Sequence, residues 1–285
     1  MLKRIGVFLA LLLGLVACQS AAIANPTPTS EPAVIALPTP TPGSSLPVTQ
    51  PATLPPESES PPDAQTVPEA ILILEPGPGS RLVSPLRVAG LADSTFEQNL
   101  VVRLLLDDGS ELALMPTTIQ SELGQRGEFE LEIPFSVSGE RQAFIQVFSS
   151  SPRDGGITHL ASTGVLLADT GSADIRPVEA FPERIQITNL APGDSLSGGT
   201  AHVEGFALAS FEQTLVVDIL DEDGTIVGSQ PLIVDSPEWG QPGPFQVDVP
   251  YSVTTSGAGR IVVRDPSPAF AGDVHSASIE VQLNP

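Results

Sequence analysis

Apolar and polar residues alternate along much of the chain beyond residue 70, with the period of two that is typical of β-strands. In the stretch LVVRLLL, one face of the predicted strand is wholly apolar and carries Leu100, Val102, Leu104 and Leu106. In the later stretch LVVDIL, Leu215, Val217 and Ile219 are expected to face inward, and Val216, Asp218 and Leu220 to face outward. This pattern predicts strands with one face on a core.

Turn signals separate the predicted strands at short intervals. The dipeptides Asp108-Gly109 and Asp223-Gly224 are typical of hairpin turns, and no segment has a sustained helical period. In the first half of this region we predict about seven strands, near residues 70–74, 85–90, 100–106, 111–115, 128–135, 142–149 and 160–168. Many short strands with regular turns predict an all-β sandwich.

An internal repeat divides the region into two similar halves. The stretch FEQNLVV, residues 96–102, returns as FEQTLVV, residues 211–217. FELEIPFSV from Phe129 returns as FQVDVPYSV from Phe245. The spacing between the two copies is only one residue larger at this second stretch than at the first, so the copies align with a single inserted residue. The repeat therefore predicts two copies of one domain.

The repeated FEQ segment invites a structural interpretation. We expect Phe96 and Phe211 to fill the core where the chain enters a central strand, and Glu97 and Glu212 to accept backbone N–H bonds at that corner. An alternative is that the two glutamates bind a ligand or a cation. Two further positions are kept in both copies and are interpreted as structural: Gly90 and Gly205.

Composition and charge narrow the classes of partner. The chain has 285 residues, enough for two domains, and its formal net charge is -22. Lys3 is the sole lysine and no basic run occurs, which excludes ordinary nucleic-acid binding because phosphate contacts need clustered basic side chains. With one cysteine, Cys18, the chain has no internal disulfide.

The first eighteen residues have the form of a secretory signal. Lys3 and Arg4 precede an apolar run, residues 5–16, that is too short for a comfortable membrane span. The segment LVAC ending at Cys18 resembles the lipobox of bacterial lipoproteins. The resemblance implies removal of residues 1–17 and a lipid on Cys18, and hence an extracytoplasmic protein held on the membrane, at the cell surface or in the periplasm. The alternative is an ordinary signal peptide with a chance cysteine.

Residues 18–69 differ from the rest in composition. They are rich in Pro, Thr and Ser, contain no aromatic residue and show no sustained apolar period. Such a segment cannot build a core, so we predict a disordered linker that serves as a spacer. An O-glycosylated stalk is the alternative, because Thr and Ser lie beside Pro.

A family resemblance refines the predicted fold. The pattern PGSxLxSPLxVxGxA followed by FE, spread over residues 78–97, resembles the immunoglobulin-like domain found in bacterial spore germination proteins, as does Gly-x-Phe at residues 127–129. The second copy retains Gly193, Leu196, Val203, Gly205, Phe211 and Glu212. The resemblance implies two tandem immunoglobulin-like β-sandwiches, residues 70–168 and 184–285, joined by linker 169–183. It implies no defined catalytic residues, and a role in sporulation or germination would rest on the family name alone.

The sequence gives little support for a catalytic site or a metal site. His159 and His275 occupy equivalent positions, but no nucleophile motif accompanies them, and His202 has no counterpart in the first copy. The acidic turns LDDGS and DEDGT lack the ligand spacing of a calcium loop, and no phosphate-binding glycine loop occurs. We therefore expect no catalytic residue, no cofactor and no metal, and a protein that is not an enzyme.

One aromatic residue stands out as a candidate contact. Trp239 is the sole tryptophan and lies in a loop rich in Pro and Gly, where the first copy has Leu123. It either anchors its loop to the core or contacts a protein or glycan. The sequence as a whole predicts a non-catalytic binding or scaffolding module of the cell envelope, with an envelope protein or glycan as partner. The alternative is a purely structural spacer or assembly component of that envelope.

Overall fold

The computed structural model describes residues 67–178 and 181–285, and it confirms an all-β architecture of two sandwiches. The predicted signal peptide, the lipidation site Cys18 and nearly all of the predicted linker 18–69 lie outside the described residues. The first sandwich contains strands β1 Ile71–Glu75, β2 Arg81–Val83, β3 Leu86–Ala92, β4 Asn99–Leu106, β5 Glu111–Thr118, β6 Gly127–Ile133, β7 Glu140–Ser150 and β8 Ile157–Ala168.

The second sandwich repeats the same order of strands. It contains β9 Ile185–Ile187, β10 Ser195–Leu196, β11 Thr200–Ala207, β12 Thr214–Leu220, β13 Ile226–Ile233, β14 Gly243–Pro250, β15 Gly257–Pro266 and β16 Asp273–Leu283. In each domain a small antiparallel sheet, β1-β3-β6 or β9-β11-β14, faces a larger one, β5-β4-β7-β8 or β13-β12-β15-β16. The short strands β2 and β10 add in parallel to β8 and β16.

Each domain has its own core between its two sheets, as the alternation predicts. The inward set of β4 is buried, with Val102 and Leu104 both fully shielded from solvent, and Leu215, Val217 and Ile219 of β12 are buried in the same way. Asp218 lies on the opposite face of β12, but that face is covered. Only 4% of Asp218 is exposed, and its carboxylate accepts hydrogen bonds from Arg264 Nε and Ser229 Oγ.

The prediction that the FEQ phenylalanines fill the core is wrong. Phe96 is 56% exposed and Phe211 is 49% exposed. Glu97 does not cap the corner either: within residues 67–178 and 181–285, its carboxylate accepts one hydrogen bond, from the side chain of Asn99 at 3.4 Å, and none from a backbone N–H. The segment is repeated because it forms a sharp turn with positive φ angles at Glu97 (54°), Gln98 (59°) and the equivalent residues Glu212 (48°) and Gln213 (56°).

The third residue of the segment secures this turn. Gln98 is 5% exposed, and its Nε2 donates to Ser121 Oγ at 2.8 Å and to the carbonyl oxygens of Glu122 and Gln125 at 3.0 and 3.1 Å. Its Oε1 accepts a bond from Ser94 Oγ at 2.7 Å. A single buried amide therefore ties the turn to the loop between β5 and β6.

We expect Gln98→Ala to lower the free energy of unfolding by about 2 kcal/mol, because it leaves several polar groups of that loop without a partner. Glu97→Gln, on the exposed neighbour, should change it by less than about 0.5 kcal/mol. Urea unfolding of both variants measures the two values. A larger loss in Glu97→Gln than in Gln98→Ala would restore the corner role first expected of the glutamate.

The repeated glycines of β3 and β11 allow a close approach between strands. A Cβ atom on Gly90 would lie 2.1 Å from the carbonyl oxygen of Leu72 and 2.7 Å from the Phe129 ring. A Cβ atom on Gly205 would lie 1.9 Å from the Gln186 carbonyl oxygen. Both contacts involve backbone of the neighbouring strand, which cannot move without breaking the sheet.

Gly90→Ala is accordingly expected to cost about 1–3 kcal/mol of stability through overpacking. Gly164→Ala in β8 is the matched control, since its nearest neighbour would be the Phe144 ring at 3.7 Å, an ordinary contact distance. Thermal unfolding of the two variants should give a clearly lower Tm for Gly90→Ala alone. Equal Tm values would show that the sheet tolerates a side chain at this position.

Candidate functional site

The last strands of the two domains pair with each other. β8 and β16 run antiparallel, with Leu160 opposite Ser276 and His159 opposite Ala277, and this pairing joins the two larger sheets into one ten-stranded sheet. Leu160 and Ser276 are equivalent residues of the repeat. A local pseudo-two-fold axis therefore passes between them, so that the two domains meet as the subunits of an isologous dimer do.

Reciprocal hydrogen bonds on both sides of the axis confirm this symmetry. Ser162 Oγ donates to the Val274 carbonyl oxygen at 2.6 Å, and the equivalent Ser278 Oγ donates to the Thr158 carbonyl oxygen at 2.7 Å. Near the axis, Pro68 and Pro182 form an isolated antiparallel bridge. The interface thus combines sheet pairing with equivalent side-chain contacts.

Two glutamates and two histidines meet at this axis. Glu69 and Glu183 each follow one of the bridged prolines, and His159 and His275 lie on β8 and β16. The four side chains, which we call the Glu-His cluster, offer one ligand atom each within 4.8 Å of one another. The two imidazole rings meet edge to face, with centroids 5.4 Å apart.

The distances within the Glu-His cluster are short. His275 Nε2 lies 3.2 Å from Glu69 Oε1 and 3.1 Å from Glu183 Oε1. His159 Nε2 lies 3.6 Å from Glu183 Oε2 and 3.9 Å from Glu69 Oε1. Each imidazole nitrogen therefore faces both carboxylates, one from each domain.

Backbone donors hold the two carboxylates in place. The Arg184 N–H donates to Glu69 Oε2 at 2.9 Å, and the equivalent Ala70 N–H donates to Glu183 Oε2 at 2.8 Å. These bonds cross the axis reciprocally, because each glutamate is held by the residue that precedes the first strand of the other domain. Their effect is to fix the carboxylate orientation independently of the histidines.

The electrostatics of the Glu-His cluster favour opposite charges on its members. Burial opposes protonation of His159, but the carboxylates of Glu69 and Glu183 outweigh it and raise the pKa of this histidine above its ordinary value. Burial acts to raise the pKa of Glu183, and the two histidines together with the backbone donor of Ala70 lower it overall. Within the described residues, Glu69 Oε1 and His159 Nε2 remain buried without a hydrogen-bond partner.

A pocket of about 380 Å³ opens beside the Glu-His cluster. Glu69, Glu183 and His275 form its polar end, and its remaining wall is mostly apolar: Ile71, Ile73, Ala161, Val178, Phe181 and Leu208. A smaller pocket of about 160 Å³ lies on the opposite side, lined by His159 and by Ile185 and Ile187, the equivalents of Ile71 and Ile73. The pockets are related by the axis and differ because Val178, Phe181 and Pro182 wall the larger one alone.

The model of one protein family matches both halves of the chain. The Gmad2 model, described as the immunoglobulin-like domain of bacterial spore germination, matches residues 70–156 and 184–269. The chain belongs to this family. Both domains are therefore immunoglobulin-like, and such domains suggest a non-catalytic binding or structural module. Among curated proteins, none matches the chain.

The solved structures that match this Gmad2 chain do so at low sequence identity and low TM-score. A transglutaminase of red sea bream is 9% identical over 76% of this chain and 31% of its own length, with a TM-score of 0.27. A chimeric titin Z1Z2 tandem is 16% identical over 75% of this chain and 97% of its own, with a TM-score of 0.20. Latent PorU from Porphyromonas gingivalis is 11% identical over 76% and 24%, with a TM-score of 0.22. These similarities carry no inference about function.

Two further contacts flank the axis, and here the two Gmad2 domains differ. On one side Phe144 packs against Phe270, with ring centroids 5.0 Å apart. On the other side, the equivalent positions hold Arg260 and Asp154, whose Nη2 and Oδ2 atoms are 2.8 Å apart in a fully buried ion pair. The repeat has thus diverged into an aromatic contact and an ionic one.

The remaining residues singled out from the sequence lie away from the axis. Trp239 is 76% exposed, so the prediction that it anchors its loop to the core is wrong, and Leu123 in the equivalent loop is also 76% exposed. His202 stands on an exposed face of β11, with its two ring nitrogens 2.6 Å from Asp248 and Glu204. Sequence reasoning missed Glu69 and Glu183, although a Pro-Glu step before the first strand of each copy marks them.

Proposed function

We propose that this protein is a lipid-anchored extracytoplasmic module that uses two joined immunoglobulin-like domains for non-catalytic binding or scaffolding in the bacterial envelope. One observation carries the proposal: the two domains share a continuous ten-stranded sheet. Domains on a loose linker reorient freely, whereas a shared sheet presents their loops in a fixed arrangement. A fixed arrangement suits a scaffold or a two-domain contact surface.

The anchor in this proposal rests on the segment that ends at Cys18. Removal of residues 1–17 would take away the positive charges of Lys3 and Arg4 and change the formal net charge from -22 to -24. So acidic a chain is repelled by anionic lipid headgroups, which would keep the domains away from the bilayer surface. Within residues 67–178 and 181–285, no helix is long and apolar enough to cross a membrane.

Labelling in the host tests the anchor. Cells expressing the full chain or Cys18→Ala are fed an alkyne-tagged fatty acid and fractionated. The wild-type chain is expected to carry the label and to sediment with membranes, while Cys18→Ala loses the label completely. Equal labelling of the two chains, or an unlabelled wild-type chain, would contradict lipidation at this residue.

The contact surface in this proposal consists of the loops that carry Leu123 and Trp239. Tryptophan is among the residues that contribute most to binding energy at protein interfaces, and Trp239 is 76% exposed at the tip of its loop. Both loops occupy the same place in their domains, so a partner would meet an apolar tip on each. The partner chemistry we infer is an envelope protein or a glycan.

Crosslinking in intact cells tests this surface. We expect a specific crosslinked partner with the wild-type chain, and its loss when Leu123 and Trp239 are both changed to Ser. Ile233→Ser is the matched control, since Ile233 is 72% exposed on β13 and outside those loops. If the double variant still crosslinks to the partner, the partner binds at a surface other than these two loops. If the wild-type chain gives no crosslinked partner, the alternative function as a structural spacer is favoured, and the acidic charge of the chain is compatible with that function.

A further inference from the structure

We propose that the Glu-His cluster of Glu69, His159, Glu183 and His275 binds one divalent transition-metal ion, best matched by Zn²⁺, on the pseudo-two-fold axis between the domains. The ion would take one carboxylate from the start of each domain and one imidazole from the last strand of each domain. It would therefore fasten together the two copies of the repeat. The inference goes beyond the proposed function and does not depend on it.

The ligand spacing supports a tetrahedral ion. Zinc bonds to His nitrogen and carboxylate oxygen are about 2.0–2.2 Å long, which places neighbouring ligand atoms of a tetrahedron about 3.3–3.6 Å apart. The two distances from His275 Nε2 to the carboxylates are 3.2 and 3.1 Å, and those from His159 Nε2 are 3.6 and 3.9 Å. These distances lie on both sides of the tetrahedral value, although His275 faces Glu183 Oε1 and His159 faces Glu183 Oε2. One ligand atom of each residue lies within 4.8 Å of the other three, so side-chain shifts of about 1 Å would bring the four atoms to tetrahedral spacing.

Hydrogen bonds among the four side chains do not satisfy every polar atom of the Glu-His cluster. His275 Nε2 can carry one hydrogen, yet it faces two carboxylate oxygens at nearly equal distances. Glu69 Oε1 and His159 Nε2 have no hydrogen-bond partner although both are buried, and Glu69 as a whole is only 1% exposed. A cation at the centre would contact an atom of each of the four residues and leave none of these atoms unmatched.

Charge balance is compatible with a bound ion. Two carboxylates, two neutral imidazoles and one divalent cation sum to zero, and a neutral assembly is the least costly one to bury. The backbone N–H bonds from Ala70 and Arg184 supply the outer support that metal-binding carboxylates usually have. The carboxylates are therefore held in place before an ion arrives.

The ligand types select among metals. Ca²⁺ and Mg²⁺ prefer oxygen ligands alone, so two imidazoles disfavour both ions. Cu²⁺ and Ni²⁺ favour square-planar or tetragonal arrangements, whereas tetrahedral nitrogen and oxygen ligands suit Zn²⁺. Four protein ligands also fill a tetrahedron, which is typical of structural zinc sites rather than catalytic ones.

Metal titration of the full chain in detergent tests the proposal. After removal of metals with a chelator, calorimetry with Zn²⁺ is expected to give one ion per chain. A free Zn²⁺ concentration about 100 times the Kd should raise Tm by roughly 5–11 °C. Co²⁺ in place of Zn²⁺ should give the intense visible bands of a four-coordinate ion.

Three variants locate the ion. His159→Ala, at the least buried member of the Glu-His cluster, and Glu183→Gln should each weaken Zn²⁺ binding at least about 100-fold. His202→Ala is the matched control, because it removes a histidine that also stands beside two carboxylates, and it should leave binding unchanged. Circular dichroism confirms that each variant is folded.

The opposite results would overturn the proposal. These are a folded metal-free chain that binds no Zn²⁺, binding that survives both changes in the Glu-His cluster, or binding lost in His202→Ala. If both cluster variants fail to fold, the Co²⁺ spectrum of the wild-type chain decides. Intense four-coordinate bands support the site, and a weak six-coordinate spectrum or no spectrum excludes it.

Discussion

Replacing Asp154 with alanine is expected to destabilise the chain by about 3–5 kcal/mol, because it leaves a buried guanidinium without its main partner. Arg260 and Asp154 come from different domains, and their side chains are 1% and 2% exposed. Without Asp154, the nearest carboxylate to Arg260 is that of Glu280, at 3.4 Å. A charge buried to this extent cannot recover its hydration unless the interface between the domains opens.

Urea unfolding of the wild-type chain and Asp154→Ala measures this loss. We expect the variant to unfold in two steps where the wild type unfolds in one, since each domain keeps its own core when the interface weakens. Arg141→Ala is the control: Arg141 pairs with Asp107 and Asp108 at the surface, where solvent screens the pair, and its loss should lower the stability far less than Asp154→Ala does. A comparable cost for the two variants would contradict the prediction.

The same ion pair should make the interface sensitive to acid. Burial acts to raise the pKa of Asp154, but the Gly156 N–H, the Ser151 hydroxyl and Arg260 outweigh it and hold the pKa below the ordinary value of 3.8. The stabilising contribution is therefore present above pH 3.8 and is lost as the pH falls through the lowered pKa. The stability difference between the wild type and Asp154→Ala should shrink over that acidic range.

The pseudo-symmetry of the interface also supplies a rescue. Phe144 and Phe270 occupy the positions equivalent to Arg260 and Asp154, and they pack against each other without any charge. Replacing a buried ion pair by packed apolar side chains is often neutral or stabilising. The double variant Asp154→Phe with Arg260→Phe copies the aromatic side onto the ionic side, and it should recover most of the stability that Asp154→Ala loses.

The strand pattern and the repeat made much of the fold predictable from sequence. Alternation identifies the inward face of β4 and β12, because a strand with one face on a core must be apolar at every second position. The turn at Phe96–Gln98 was not predictable in the same way. Positive φ angles are expected at glycine, and here they occur at Glu97 and Gln98, so the residue types do not indicate the turn and the apolar Phe96 is expected in the core instead.

The candidate site was less accessible to sequence reasoning. His159 and His275 are visible as equivalent residues, but what brings them together is the antiparallel pairing of β8 with β16. That pairing depends on an edge strand of one domain meeting an edge strand of the other. The alternation of apolar and polar residues within a strand does not indicate such a partner. The Pro-Glu steps at Glu69 and Glu183 gain meaning only once this axis is known.

Phe270→Ala is expected to cost about 3 kcal/mol, near the lower end of the range for a buried phenylalanine. Phe270 is 9% exposed although it lies in the turn between β15 and β16, because its ring packs on Phe144 of the other domain. The loss removes an interdomain contact and leaves a cavity where the domains meet. Like Asp154→Ala, it should separate the unfolding of the two domains.

Phe96→Ala is the informative comparison for Phe270→Ala, because the sequence singles out Phe96 for the core and not Phe270. With 56% of Phe96 exposed, its removal should change the free energy of unfolding by less than about 0.5 kcal/mol. Calorimetric scans of the two variants measure both values under the same conditions. The reverse order of effects would place Phe96 inside the protein and leave the Phe144–Phe270 pair without a role in joining the domains.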